Sequence, residues 1–300
     1  MNERFVGLWL FVKFFLSVLC VVVFGFLIQY FLSPLRGDLV VYRVPPNEGR
    51  AIERIHIRNG VTEVIPTTSE AKEYVAFSQT QNSEARAIQG NDGVQISFLR
   101  GERKQFATHD ASEIDWLRFS PDGGSIAFAS LATTTGRSRT PEDYAVIRML
   151  PTGESVVVGT GIRPFPVPGN ATIAITSNGV VSLVPGVNDP RLLIKTEVPA
   201  TGGTPLAVSL NGDRIAWVNP MDNSLQVFSR TPAGTFVPLL LNEHIAPTSL
   251  AFSPDGNRLA FAEEEGDGNS SISVLTLLSG AVTPVGQFEG IIDISQWIYE

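Results

Sequence analysis

The pattern of hydrophobic positions changes once along the chain, near residue 36. Phe14–Leu32 is a run of 19 residues without a charge, FFLSVLCVVVFGFLIQYFL, with Ser17 and Gln29 as its only clearly polar side chains. As a helix rising about 1.5 Å per residue it is roughly 28 Å long, close to the hydrocarbon thickness of a bilayer. From Gly37 onward no stretch of 12 residues keeps a 3.6-residue apolar period. Short runs rich in Val, Ile, Phe and Leu recur instead between clusters of Gly, Pro, Asn and Asp. That alternation predicts strands joined by tight turns.

The strand-like region repeats itself. Ile114–Ser130 reads IDWLRFSPDGGSIAFAS, Pro247–Glu263 reads PTSLAFSPDGNRLAFAE, and Thr204–Asn219 reads TPLAVSLNGDRIAWVN. Phe165–Ser177 is a decayed copy, and Tyr74–Thr80 keeps the first half. Anchoring on the residue before the motif Ser gives Phe77, Phe119, Pro166, Val208 and Phe252, spaced by 42, 47, 42 and 44. A further step of 45 reaches Trp297, where Ile292–Glu300 aligns without a gap on Ile114–Asp122. The chain stops there, after the first strand of a unit. Gly37–Val44, Arg54–Arg58 and Val61–Pro66 supply the missing strands from the other end. One unit is thus split between the termini. Counting it, six units of about 44 residues each carry four strand-like runs. Four-stranded sheets with two apolar faces bury both only against neighbours, which predicts an all-β, six-bladed ring. The Asp122-Gly123 and Asp255-Gly256 pairs fall between first and second strands, where a tight connection needs positive φ.

The apolar run at 14–32 has three readings. A cleaved signal peptide needs a shorter core and a small-residue cleavage site, but Ser33-Pro34-Leu35-Arg36 follows a long one. A lipoprotein needs a small residue before its Cys, and Leu19 precedes Cys20. An uncleaved signal anchor accommodates the whole run, with Lys13 snorkelling and Trp9 and Tyr30 at the interfaces. The domain expectation is a short tail at 1–13, a transmembrane helix at 14–32, a linker at 33–36 and a propeller at 37–300. The short tail favours an inside amino terminus and an extracytoplasmic propeller. It also argues against a cytoplasmic signalling domain.

The motif SPDGxxIAF, at Ser120–Phe128 and Ser253–Phe261, resembles the repeat of TolB-like bacterial β-propellers. The resemblance extends over about 260 residues through its period. It implies a six-bladed, extracytoplasmic propeller of the kind used as a protein-binding platform. The chain departs from TolB itself, since a membrane helix stands where TolB has an N-terminal globular domain. The partners of TolB are therefore not carried over.

Composition narrows the chemistry. One Cys excludes an intrachain disulfide, and charged residues are only 17% of the chain. Residues 37–300 carry 19 Lys and Arg against 29 Asp and Glu, a net charge of −10 that disfavours nucleic acid as a partner. H-E-x-x-H, C-x-x-C, Walker and G-x-S-x-G motifs are absent. His56, His109 and His244 fall in different blades and read as surface or loop histidines. Gly159-Thr160-Gly161 reads as a turn between blades. The acidic stretch Glu263-Glu264-Glu265-Gly266-Asp267 could hold calcium, but it lacks ordered ligand spacing and reads as a solvated hairpin. Some six-bladed propellers are calcium-dependent lactonases. Asp115 and Asp293, at equivalent positions before first strands, are the residues that chemistry would use. The simpler reading has them bonding turn amides. Arg43, Arg50, Arg54 and Arg58 cluster in the split blade and could meet lipid phosphates or an acidic neighbour.

The expected role is a non-catalytic, membrane-anchored scaffold or accessory subunit of a membrane protein complex. No catalytic, cofactor or metal residue is assigned. The partners are other subunits, contacted through a propeller face and the helix (Ser17, Cys20 and Gly25 permitting close approach), and membrane lipid. The alternatives are a calcium-dependent propeller hydrolase and a solitary ligand-binding module.

Overall fold

The computed structural model describes residues 15–19, 37–44, 51–57, 60–65, 73–78, 83–90, 93–100, 103–109, 113–131, 140–201, 203–242, 245–266 and 268–298. The chain divides into two units, residues 1–36 and 37–300. In the first, residues 15–19 are helical with exposed side chains. Among the described residues no helix is long and apolar enough to cross a membrane. The rest of the 14–32 span, with Trp9, Lys13, Cys20, Gly25, Tyr30 and the linker 33–36, lies outside them.

The second unit is a six-bladed β-propeller, built from six four-stranded antiparallel sheets. Five are consecutive meanders. Their inner strands are β4 (Glu73–Phe77), β8 (Glu113–Phe119), β12 (Ile162–Pro166), β16 (Leu206–Val208) and β20 (Ser249–Phe252). We number these blades 2 to 6. Blade 1 takes its inner strand from the other end of the chain: β24 (Ile291–Ile298) lies beside β1 (Asp38–Val44), β2 (Ala51–His56) and β3 (Thr62–Ile65). Leu39 is the ladder partner of Trp297, and both are buried. The split unit read from the repeat is therefore the blade that closes the ring.

Burial follows the predicted faces. The second strands β9 (Ile126–Leu131) and β21 (Arg258–Glu264) are buried on both sides along most of their length. Phe128 packs toward blade 2, whereas its neighbour Ala129 packs toward blade 4. Alternating a large and a small residue lets adjacent sheets interdigitate without voids. The outer strands β19 (Phe236–Asn242) and β23 (Ala281–Glu289) face solvent along most of their length. Pro238 and Pro284 sit beside bulges in these strands, and a residue without an N–H group discourages pairing with another chain.

The Asp-Gly turns form as expected. Gly123 and Gly256 have φ of +68° and +71°. Ser120 Oγ donates to Asp122 Oδ1 at 2.5 Å and accepts from the Ser125 N–H at 2.9 Å, while the Gly124 N–H donates to Asp122 Oδ1 at 3.0 Å. These bonds hold the Asp122 carboxyl below the usual aspartate range, the Ser120 hydroxyl contributing most. Ser253, Asp255 and Asn257 repeat the arrangement in blade 6.

Candidate functional site

The six inner strands line a central channel, and five of them bound a cavity of about 80 Å³ near their exit into the Ser-Pro-Asp-Gly turns. That is room for a few water molecules, at roughly 10–15 Å³ each. Arg118, Phe165, Phe252, Ser295 and Gln296 are among its walls.

Arg118 reaches across between inner strands. It is buried, and its guanidinium crosses from blade 3 to blade 1. There Nη1 donates to Ser295 Oγ at 3.2 Å and Nη2 donates to the Ser295 carbonyl. A further bond runs from Nη1 to its own neighbour, the Leu117 carbonyl, at 3.0 Å. Burial pushes the Arg118 guanidinium down to about 10, against the opposing pull of Tyr42, Asp293 and Asp115 and with the repulsion of Arg163. It remains a cation at neutral pH. Ser295 is in position because β24 bulges there: Val40 pairs with Gln296 and Val41 with Ile294, leaving Ser295 without a ladder partner.

Beside Arg118, the inner strand β8 bulges between Asp115 and Arg118, and Trp116 adopts φ +61°. Arg163, its counterpart in β12, has φ +49° at a matching bulge. Left-handed backbone at a bulky residue costs on the order of 1–3 kcal/mol and persists only where surrounding packing imposes it. The Trp116 ring is shared by two cations, with the guanidinium carbons of Arg118 and Arg163 at 4.4 and 4.5 Å from its centre.

The two acids singled out in the sequence both act electrostatically on Arg118. Their role differs from the turn-capping expectation in one respect. Asp115 Oδ2 accepts the backbone N–H of Arg163 at 3.2 Å, so it ties blade 3 to the first strand of blade 4 and not to a turn. The register bulge turns that N–H away from its own ladder and toward the neighbouring blade.

Other candidates are spent structurally. His56 ends β2, not a loop, and its Nδ1 lies 2.5 Å from Asp38 Oδ1. His109 ends β7 (Arg103–His109) and meets Ser130 Oγ at 2.9 Å. Arg43 is paired with buried Glu53 at 2.5 Å, and Arg54 lies 3.8 Å from Asp38 and over the Phe77 ring. These two arginines are thus engaged within the propeller, whereas Arg50, Arg58, His244 and Asp267 lie outside the described residues. Glu263 accepts from the Ala246 N–H and Glu265 from Gln287, in the hairpin between β21 and β22 (Asn269–Thr276). Among the described residues no three His, Cys, Asp or Glu side chains gather in a metal-binding group. Of Gly159-Thr160-Gly161, read as a turn between blades, only Gly161 joins blade 3 to blade 4; Gly159 and Thr160 belong to the outer strand Ser155–Thr160 and pair with Val146 and Ala145.

Sequence reasoning passed over Arg118, Trp116 and Arg163. One signal was present. In the repeat, the residue before the anchor is Ala76, Arg118, Phe165, Ala207, Ala251 or Gln296, so Arg118 is the single charge in that column.

The architecture matches known structures. TolB from Acinetobacter baumannii superposes with a TM-score of 0.64 at 16% identity, over 90% of this chain and 70% of that one. The fold is a TolB-like six-bladed propeller. A chain of the nidogen/laminin complex matches with a TM-score of 0.59 at 11% identity, over 86% of this chain and 98% of that one. The periplasmic gluconolactonase of Pseudomonas aeruginosa matches at 0.51 and 15%, over 87% and 99%. No family model matches the sequence, and no curated protein matches it. At such identities the likeness carries the fold alone.

Proposed function

We propose that this chain is a membrane-tethered, non-catalytic propeller, an accessory subunit that docks on the extracytoplasmic face of a membrane protein complex. The observation that carries the non-catalytic reading is Arg118. A buried guanidinium lies in the field of Asp115 and Asp293, the two carboxylates that calcium chemistry would require. Arg118 sets a fixed positive charge in their field, and it is itself hydrogen-bonded to Ser295 across the channel. A divalent cation at these acids would have to work against that charge in a low-dielectric interior. The tether rests on the uncharged run at 14–32, long enough to span a bilayer. Held at the surface, the propeller gains effective concentration, so weak contacts with neighbouring subunits suffice.

A second reading, a calcium-dependent lactonase, draws on the same two acids lying at the channel and on the fold shared with a gluconolactonase. Purification from membranes in a mild detergent separates the two. Co-migration with stoichiometric partner subunits is expected. A monomer that hydrolyses lactones only with calcium would replace the scaffold reading by the enzyme reading.

A further inference from the structure

The channel carries donors that the scaffold role leaves unused. Arg163 is 7% exposed, yet its Nε–H is buried with no hydrogen-bond acceptor. Trp116, 3% exposed, buries its indole Nε1–H in the same condition. The two side chains touch, with the Arg163 guanidinium 4.5 Å from the Trp116 ring centre. Both stand on left-handed backbone at bulges of adjacent inner strands. One nearby carboxylate is engaged with the backbone: Asp115 Oδ2 accepts the Arg163 N–H at 3.2 Å. Native interiors satisfy buried polar groups, so two adjacent orphan donors point to an acceptor that arrives with a ligand.

We propose that Arg163 and Trp116 form a receptor for an organic carboxylate. A guanidinium presents its N–H groups as a planar fork that matches a carboxylate, and the indole N–H adds a third donor of fixed direction. Trp116 and Phe165 belong to the apolar packing around these cations, and such surroundings favour an organic acid over a strongly hydrated inorganic anion. The carboxylate can belong to a free small acid or to an acidic group of a docked subunit. The proposal does not depend on the scaffold reading, since the donors are present in either case.

The test uses the full-length protein in mild detergent, with thermal unfolding followed in sodium acetate, sodium succinate and sodium phosphate against sodium chloride at equal ionic strength. At ten times the dissociation constant a carboxylate raises the midpoint by about 3 °C. Arg163→Gln abolishes the rise, and Trp116→Phe, which keeps the ring and removes the N–H, weakens it. Without ligand, Arg163→Gln unfolds at or above the wild-type midpoint, because it removes an unsatisfied buried donor and a charge that repels Arg118. The wild-type comparison stands by itself if either variant misfolds. Equal midpoints in carboxylate and chloride overturn the proposal, as does a response retained by Arg163→Gln or one given by phosphate alone. Release of a co-purifying subunit by succinate assigns the carboxylate to that subunit; a midpoint shift without release assigns it to a free acid.

Discussion

The carboxamide of Gln296 closes both hydrogen bonds of Phe77: Oε1 accepts the Phe77 N–H at 3.0 Å and Nε2 donates to the Phe77 carbonyl at 2.6 Å. These residues are 219 positions apart, and the pair imitates one rung of a β-ladder between blade 1 and blade 2. Tyr42 does the same one step along, its hydroxyl accepting from the Val75 N–H at 2.9 Å and donating to the Val75 carbonyl at 3.1 Å. On the opposite side, the buried Ser249 and Ser270 hydroxyls accept the Ile294 and Ile292 N–H groups. The last strand is therefore held by its own blade and by both neighbours. Gln296→Leu leaves two backbone groups unpaired and should cost about 2 kcal/mol in urea unfolding. Deleting Ile292–Glu300 should abolish the cooperative transition, and an unchanged melting curve would count against ring closure by β24.

Gly37 tests the same junction from the other side. Its φ is +98°, and a Cβ there would meet the Ile298 carbonyl and, at 2.7 Å, Trp297 Nε1. Gly37→Ala should therefore destabilise the propeller by about 2 kcal/mol or more, since the clash is partly with backbone and the φ is unfavourable. Circular dichroism melts of the variant against the wild type measure it. Alanine at Gly266, where a Cβ meets nothing within 4 Å, serves as the control.

Arg118→Ala should lower stability by about 3–5 kcal/mol. It strips the buried bonds to Ser295 and removes the positive charge that acts on the half-buried Asp115 and Asp293. Adding Asp115→Asn and Asp293→Asn to that variant should recover part of the loss, because the charges, and not the side-chain volumes, create most of the penalty. A triple variant no more stable than the single one argues against the charge balance. In the Arg118 background of the wild type, the two Asn substitutions should leave complex assembly intact.

The Ser-Pro-Asp-Gly turns predict an acid limb in the stability profile. Asp122 is held below its ordinary value by Ser120 and the Gly124 N–H. Asp255 is likewise lowered, burial opposing and the bonds from Ser253 and Asn257 prevailing. Between the folded and unfolded values the unfolded chain binds more protons. The contribution is thus complete above the unfolded value and lost as pH falls through the folded one. Stability should decline from about pH 5 toward pH 3, and the double variant Asp122→Asn, Asp255→Asn should flatten that decline. An unaltered slope would assign the acid sensitivity to other carboxylates.

Orientation is open to a direct measurement. In intact cells, protease added outside the cytoplasm should cleave the propeller at exposed connections and leave Arg4 protected. Cleavage that requires opening the cytoplasm reverses the topology.

Sheet count, blade boundaries and the split unit were legible in the chain because each rests on local signals. Period-2 alternation, Asp-Gly turns and a recurring anchor residue act over a few positions, and repetition amplifies them. The repeat put Trp297 on an inner strand beside the Leu39–Val44 strand, and the ladder pairs those strands; that Leu39 is its partner in register came only with the structure. The channel was not legible in the same way. Asp115 and Asp293 could be paired by their equivalent repeat positions, but which cation answers them depends on Arg118 crossing to Ser295, 177 residues away. The bulges that set Trp116 and Arg163 on left-handed backbone depend on neighbouring blades, not on the propensity of either residue, which disfavours that conformation. A repeat writes the strands of a propeller into its sequence; the departures from the repeat meet only at the axis, where the closed ring sets charges from different blades side by side.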